Sequence, residues 1–135
     1  MTRIITVGAA QLGPIQRADS RAAVVKRCVD LLRQAAEHKC NLVVFPELAL
    51  TTFFPRWWMT DQEEIDSFFE REMPSNETAP LFNEAKKHGI GFWLGFAELD
   101  RSEGKTRRFN TSIIVDPTGK IAGRYRKIHL PGHAE

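Results

Sequence analysis

The sequence predicts an α/β layered domain built on a mixed sheet. Three patterns point there. Residues 3–45 read as a strand, a one-faced helix and a second strand. Residues 60–89 carry two helical segments with clear start and stop signals. Residues 90–127 hold three strand-like runs separated by short polar turns, the pattern of antiparallel hairpins.

The first strand is expected over Arg3–Leu12, where Ile4, Ile5, Val7, Ala9 and Ala10 precede Gly13-Pro14. Asp19 or Ser20 can cap a helix reaching about Lys39. Its apolar residues Val24, Val25, Cys28, Leu31, Leu32, Ala35 and Ala36 recur at three- and four-residue steps, opposite a charged face. Such a helix packs one side on a sheet. A buried strand over Leu42–Phe45 follows, so the two strands should be parallel neighbours across a helical crossover. Thr60-Asp61-Gln62-Glu63 reads as a capping box before a short helix with Ile65, Phe68 and Phe69. A further helix is expected from about Thr78, with Pro80 in its first turn and Gly89 closing it after His88.

Ile90–Leu99 is the next strand, and Phe109–Val115 should pair back on it across the polar turn Asp100–Lys105. Asp116-Pro117-Thr118-Gly119 is a turn signal, after which Lys120–Lys127 makes a last strand. Alternation divides this strand: Lys120, Ala122, Arg124 and Arg126 point one way, Ile121, Gly123, Tyr125 and Lys127 the other. With Ile121 and Tyr125 on the core side, Lys127 joins them and the remaining cations form a solvated face.

Composition narrows the function. A chain of 135 residues with 42% hydrophobic and 27% charged residues holds at most one ordinary globular domain. A net charge of +2 gives no electrostatic footprint for nucleic acid or an anionic membrane. No apolar run approaches the ~20 residues of a membrane helix, and the N-terminal run is too short for a secretion signal. The expected location is cytoplasmic, where Cys28 and Cys40 remain reduced and act as small buried apolar residues. The sequons at Asn76 and Asn110 then have no use. His129 and His133 are four apart, but Pro131-Gly132 prevents the helix that would align them for a metal. His38 and His88 fall at helix C-termini, where a partly positive ring suits the dipole. Gly89-Ile90-Gly91 lies between a helix and a strand, the wrong order for a dinucleotide-binding turn.

The chemistry concentrates at two strand ends. Leu42–Phe45 stops at Pro46, which cannot donate to a ladder, and Glu47 follows among apolar side chains. An acid so placed can have a raised pKa and act as a general base, or it can cap the next turn. Lys127 ends its own strand on the core side, where an ammonium needs an anion. Glu47 could supply it. A Glu47–Lys127 pair suits a structural clasp as well as a catalytic pair.

Val-Phe-Pro-Glu-Leu-Ala-Leu around Glu47 and Gly-Arg-Tyr-Arg-Lys-Ile-His-Leu around Lys127 resemble the first two signature motifs of the nitrilase superfamily of carbon–nitrogen hydrolases. The stretches Thr-Thr-Phe-Phe-Pro-Arg-Trp from Thr51, Arg-Arg-Phe-Asn-Thr-Ser from Arg107 and Lys-Ile-His-Leu-Pro-Gly-His from Lys127 look similar to the N-carbamoyl-D-amino-acid amidohydrolases, or D-carbamoylases. The resemblance implies an α-β-β-α sandwich of which residues 1–135 form the N-terminal portion, with helices on one face of a mixed sheet. It implies a Glu-Lys-Cys triad with Glu47 as general base and Lys127 stabilising the tetrahedral intermediate. His129 would stand just behind them.

The family's nucleophilic cysteine lies on a later strand-to-helix elbow. Neither Cys28, on a buried helical stripe, nor Cys40, ahead of its strand, replaces it. The expected reaction converts an N-carbamoyl-D-amino acid to the D-amino acid, ammonia and carbon dioxide without metal or organic cofactor. This chain alone is expected to be inactive, as a fragment of a longer reading frame or a natural truncation. Other expectations remain open: another superfamily amidase, a ureidopropionase-like enzyme, or a non-catalytic remnant binding a partner through Phe53–Trp58. The expected partner is a small-molecule N-carbamoyl amino acid or amide, and the full-length form is expected to be a homo-oligomer.

Overall fold

The computed structural model describes residues 2–131, so the expectation for His133 lies outside the described residues. The elements are β1 (Val7–Ala9), α1 (Arg21–Glu37), β2 (Leu42–Val44), α2 (Gln62–Asp66), α3 (Ala79–His88), β3 (Gly91–Asp100), β4 (Arg107–Val115) and β5 (Ile121–Arg126). The strands form one sheet in the order β1-β2-β3-β4-β5. β1, β2 and β3 are parallel neighbours, whereas β3, β4 and β5 run antiparallel. The mixed α/β architecture agrees with the sequence reading.

Helices α1 and α3 cover one face. The Ser20 side chain accepts from the Ala23 amide to cap α1, and the helix buries Val24, Val25, Cys28, Val29 and Leu32. Leu81, Phe82 and Ala85 of α3 join them over Val43, Phe92, Leu94, Phe96, Ile113 and Val115 of the sheet. Each large apolar side chain so buried contributes about 1.5–3 kcal/mol, which makes this layer the principal source of stability. Gly89 ends α3 at φ 63°, a left-handed conformation that glycine adopts without steric cost. Glu84 ties the two helices together, accepting from Arg33 Nε at 2.8 Å and lying 2.9 Å from His88 Nε2.

Four local expectations change. The first strand contracts from Arg3–Leu12 to Val7–Ala9, because its one neighbour β2 offers three residues to pair with. Leu42–Phe45 is buried on one face only: Val43 is enclosed, while Val44 is 36% exposed. The cap of α2 is Asp61 rather than Thr60, its carboxylate accepting from the Glu63 and Glu64 amides.

The last strand changes most. Val115 pairs with Ile121 but Ile114 pairs with Gly123, so β5 carries one extra residue at a bulge. Crossing the bulge reverses the alternation. Ile121 packs on the helix-covered core, whereas Tyr125 is 55% exposed on the opposite face. Arg124 and Arg126 are not simply solvated: both donate to the buried carboxylate of Glu98, as does the Thr111 hydroxyl.

The second face is open along a row of apolar side chains. Val44, Trp93 and Ile114 follow one another across β2, β3 and β4, and all three are exposed. Beyond the end of β2, residues 45–70 fold over the far part of β3. There Leu48, Phe54 and Phe68 bury Ala97, and Phe54 stacks on Phe68 at 4.8 Å.

Candidate active site

Phe45 makes the last regular contact after β2, its amide donating to Trp93 O at 3.0 Å. Pro46 has no N–H to continue the ladder, and the chain turns over the sheet at residues 47–50. Leu48 takes φ 49°, a left-handed conformation. That costs a leucine about 1–2 kcal/mol. Its burial against Phe54, Phe68 and Ala97 is worth about 1.5–3 kcal/mol, so packing outweighs the strain. The Ala49 amide fastens the turn to Gly95 O at 2.8 Å. Gly95 eases that crossing, since a Cβ there would stand 3.2 Å from both Glu47 Cα and Leu48 N, tighter than ordinary contact.

This turn delivers Glu47 to the open face, beside Asn110 of β4 and the end of β5. Lys127 Nζ donates to Glu47 Oε1 at 2.9 Å. Asn110 Nδ2 donates to the same oxygen at 2.6 Å. The Lys127 amide in turn donates to the Asn110 carbonyl at 2.8 Å. The two side chains expected to meet therefore do meet, eighty residues apart in sequence. The expected elevation of the Glu47 pKa does not occur. The Lys127 bond, helped by Asn110 and by the lysine's charge, outweighs partial burial and holds the carboxyl below its ordinary range.

Glu47, Asn110 and Lys127 line a cavity of about 230 Å³. Leu48, Phe53, Phe54, Pro55, Phe69 and Ala97 give it an apolar wall, and Arg108 contributes a guanidinium. That guanidinium is engaged by Asp66, with Nε at 2.6 Å and Nη2 at 2.9 Å. The cavity is thus an apolar pocket in which one anion, the Lys127 ammonium and a carboxamide meet, while the Arg108 guanidinium is paired to Asp66.

His129 is exposed, does not line this cavity, and makes no bond to Glu47 or Lys127. No thiol lines it among the described residues. Cys28 is fully buried on the sheet-facing side of α1, and desolvation pushes its thiol up to about 12, the opposite of what a nucleophile needs. Cys40 precedes β2, away from the Glu47 end, with its Sγ facing Gly8. Among the described residues no group of three or more His, Cys, Asp or Glu is placed to hold a metal, and no helix is long and apolar enough to cross a membrane.

Asn110 and Gly95 escaped the sequence reading. Asn110 carried a signal: it is an amide side chain in a strand, on the same alternation as the open-face residues Ser112 and Ile114. Gly95 showed only as a glycine inside a strand, a mark of close backbone approach.

The carbon–nitrogen hydrolase family model matches residues 6–135. A cyanide hydratase of Pyrenophora teres f. teres (strain 0-1) is 29% identical over 120 residues, covering 84% of this chain and 31% of the relative. A formamidase of Bacillus cereus (strain G9842) is 27% identical over 121 residues, covering 86% of this chain and 34% of the relative. Among solved structures, a carbon–nitrogen hydrolase from Helicobacter pylori G27 superposes with a TM-score of 0.72 at 26% identity, covering 94% of this chain and 40% of that one. The chain spans about a third of the length of the curated relatives it matches.

Proposed function

The chain belongs to the carbon–nitrogen hydrolase family, and we propose that its Glu47–Lys127 pair is two-thirds of a Glu-Lys-Cys hydrolytic centre. The observation that carries this reading is the 2.9 Å contact between the two side chains at one side of an apolar cavity. In this reading residues 1–135 are the N-terminal portion of a single hydrolase domain, and a cysteine from the remainder of the fold completes the centre. A thiol is mostly protonated at neutral pH, and Glu47 removes its proton during attack. Lys127 and Asn110 hold the Glu47 carboxyl below its ordinary range, so it stands ionised for that step at neutral pH. Lys127 then faces the oxygen on which negative charge develops.

The proposed substrate is an N-carbamoyl-D-amino acid. The thiolate attacks the carbamoyl carbon, ammonia leaves, and water hydrolyses the carbamoyl thioester. The released carbamate decomposes to carbon dioxide and the D-amino acid. The apolar wall of Phe53, Phe54 and Phe69 supports a substrate with an organic side chain. A second reading, hydrolysis of a small amide or nitrile, is favoured by the formamidase and cyanide hydratase among the relatives. We place the protein in the cytoplasm, with a homo-oligomeric full-length form.

Ammonia release from N-carbamoyl-D-amino acids, formamide and a simple nitrile tests the assignment. This chain alone should release none, having no thiol at the cavity. The uninterrupted reading frame that contains it should release ammonia from the carbamoyl compound if a later strand ends in a cysteine. Preference for formamide or the nitrile would instead establish the second reading, and turnover by this chain alone would refute the need for a further cysteine.

A further inference from the structure

We infer that Asn110 is a positioning residue that gives the two oxygens of Glu47 different tasks, one to be held and one to take a proton. The inference rests on the reading of Glu47 as the base. Two donors converge on Oε1, the Lys127 ammonium at 2.9 Å and the Asn110 carboxamide at 2.6 Å. Among the described residues Oε2 accepts no hydrogen bond. A carboxylate held by a single donor can rotate about its terminal torsion and exchange its oxygens. Two donors on one oxygen, arriving from different strands, fix which oxygen stays free. The main chain at the same position also fixes the lysine, since the backbone carbonyl of residue 110 accepts the Lys127 amide at 2.8 Å. The backbone at 110 places the lysine, and the Asn110 side chain adds the second donor that holds the base against it.

Chemistry selects the amide for this place. An Asp at 110 would put a second anion beside Glu47, and a hydroxyl residue would be too short to span from the strand. A carboxamide donates without charge, leaving Glu47 ionised and Lys127 its only cation. The proton removed from a thiol then goes to Oε2, while the Oε1 bonds hold the carboxylate before the transfer and the neutral carboxyl group after it.

The test follows the Glu47 carboxyl carbon and the Asn110 side-chain amide by NMR titration of the 135-residue chain. In the native sequence the Asn110 Nδ2 protons should shift with the same midpoint as Glu47. In Asn110→Ala the Glu47 midpoint should rise by about half a pH unit or more. Protection of the Thr111 and Lys127 amides reports whether that variant keeps its strand pairing. An Asn110 amide indifferent to the Glu47 titration overturns the inference even if the variant fails to fold, and so does an unmoved midpoint in a folded variant. In the uninterrupted reading frame the acid limb of the kcat profile should move upward with Asn110→Ala. Full activity of Glu47→Gln there would refute the base reading while leaving the NMR result on Asn110 to stand or fall separately.

Discussion

Glu47 and Glu98 are the same residue type on opposite faces of one sheet, and their surroundings give them opposite capacities. Glu98 is 7% exposed beneath the helix side. Its Oε1 accepts from Arg124 and Arg126, and its Oε2 from Arg126 and Thr111. Burial pushes its carboxyl up, but those bonds and charges hold it below the ordinary range. Both oxygens are spoken for, so Glu98 can only hold strands together. Glu47 has a half-exposed side chain, takes both its bonds on one oxygen, and opens on a cavity. A satisfied acid is structural, whereas an acid that is ionised and half-satisfied can act. The difference lies in how many of its lone pairs the fold consumes.

The faces themselves differ in the same sense, and the largest expected effect tests them. Phe92 and Trp93 are adjacent on β3, but Phe92 is fully buried under the helices and Trp93 is 42% exposed. Phe92→Ala should cost about 3–5 kcal/mol in urea denaturation. Trp93→Ala should change stability by less than about 1 kcal/mol. Equal costs would show that the open face is as closed as the other.

Next come the two acids. Glu98→Ala removes the acceptor of four hydrogen bonds from three residues and should cost about 2 kcal/mol, moderated by the solvent that reaches Arg124 and Arg126. Glu47→Gln breaks a pair that is more than a third exposed and should stay within about 1 kcal/mol. Reversed magnitudes would make Glu47 the structural acid.

The smallest effect concerns acid. Glu84 is lowered from 4.5 to about 2, first by the Arg33 bond. A depressed folded value means its stabilisation is complete above the unfolded pKa and is lost as pH falls from about 4.5 toward 2. Glu47 is depressed too, so it loses stabilisation in the same direction. Thermal midpoints measured across that window should fall less steeply in Glu84→Gln than in the native chain, and Glu47→Gln should flatten the slope less. A slope untouched by Glu84→Gln would remove the α1–α3 clasp from the account.

Much of the fold was legible because it is local. The three- and four-residue stripe of α1, Gly89 after α3 and the Asp116–Gly119 turn each act within a few residues. The meeting of Glu47 and Lys127 was legible from a lysine at one strand end that needed an anion and an acid at another that could supply it. What misled was the last strand. Alternation put Ile121, Tyr125 and Lys127 together on the core side, but the bulge opposite Ile114 and Val115 leaves Ile121 on the core and turns Tyr125 and Lys127 to the open face. A bulge is a mismatch between two strands and cannot be seen in either one.

The sequence by itself determined which segments become helix and strand, and that an acid and a lysine stand ready at two strand ends. Periodicity, caps and turn residues act over distances the chain spans locally. Only the tertiary structure decided which face the pair occupies, that its carboxyl is depressed rather than raised, and that Asn110 shares its oxygen. Those outcomes depend on registers between β3, β4 and β5 and on the approach that Gly95 allows. Electrostatics at Glu47 follow from distances of a few ångströms between residues far apart in sequence, and folding alone sets such distances.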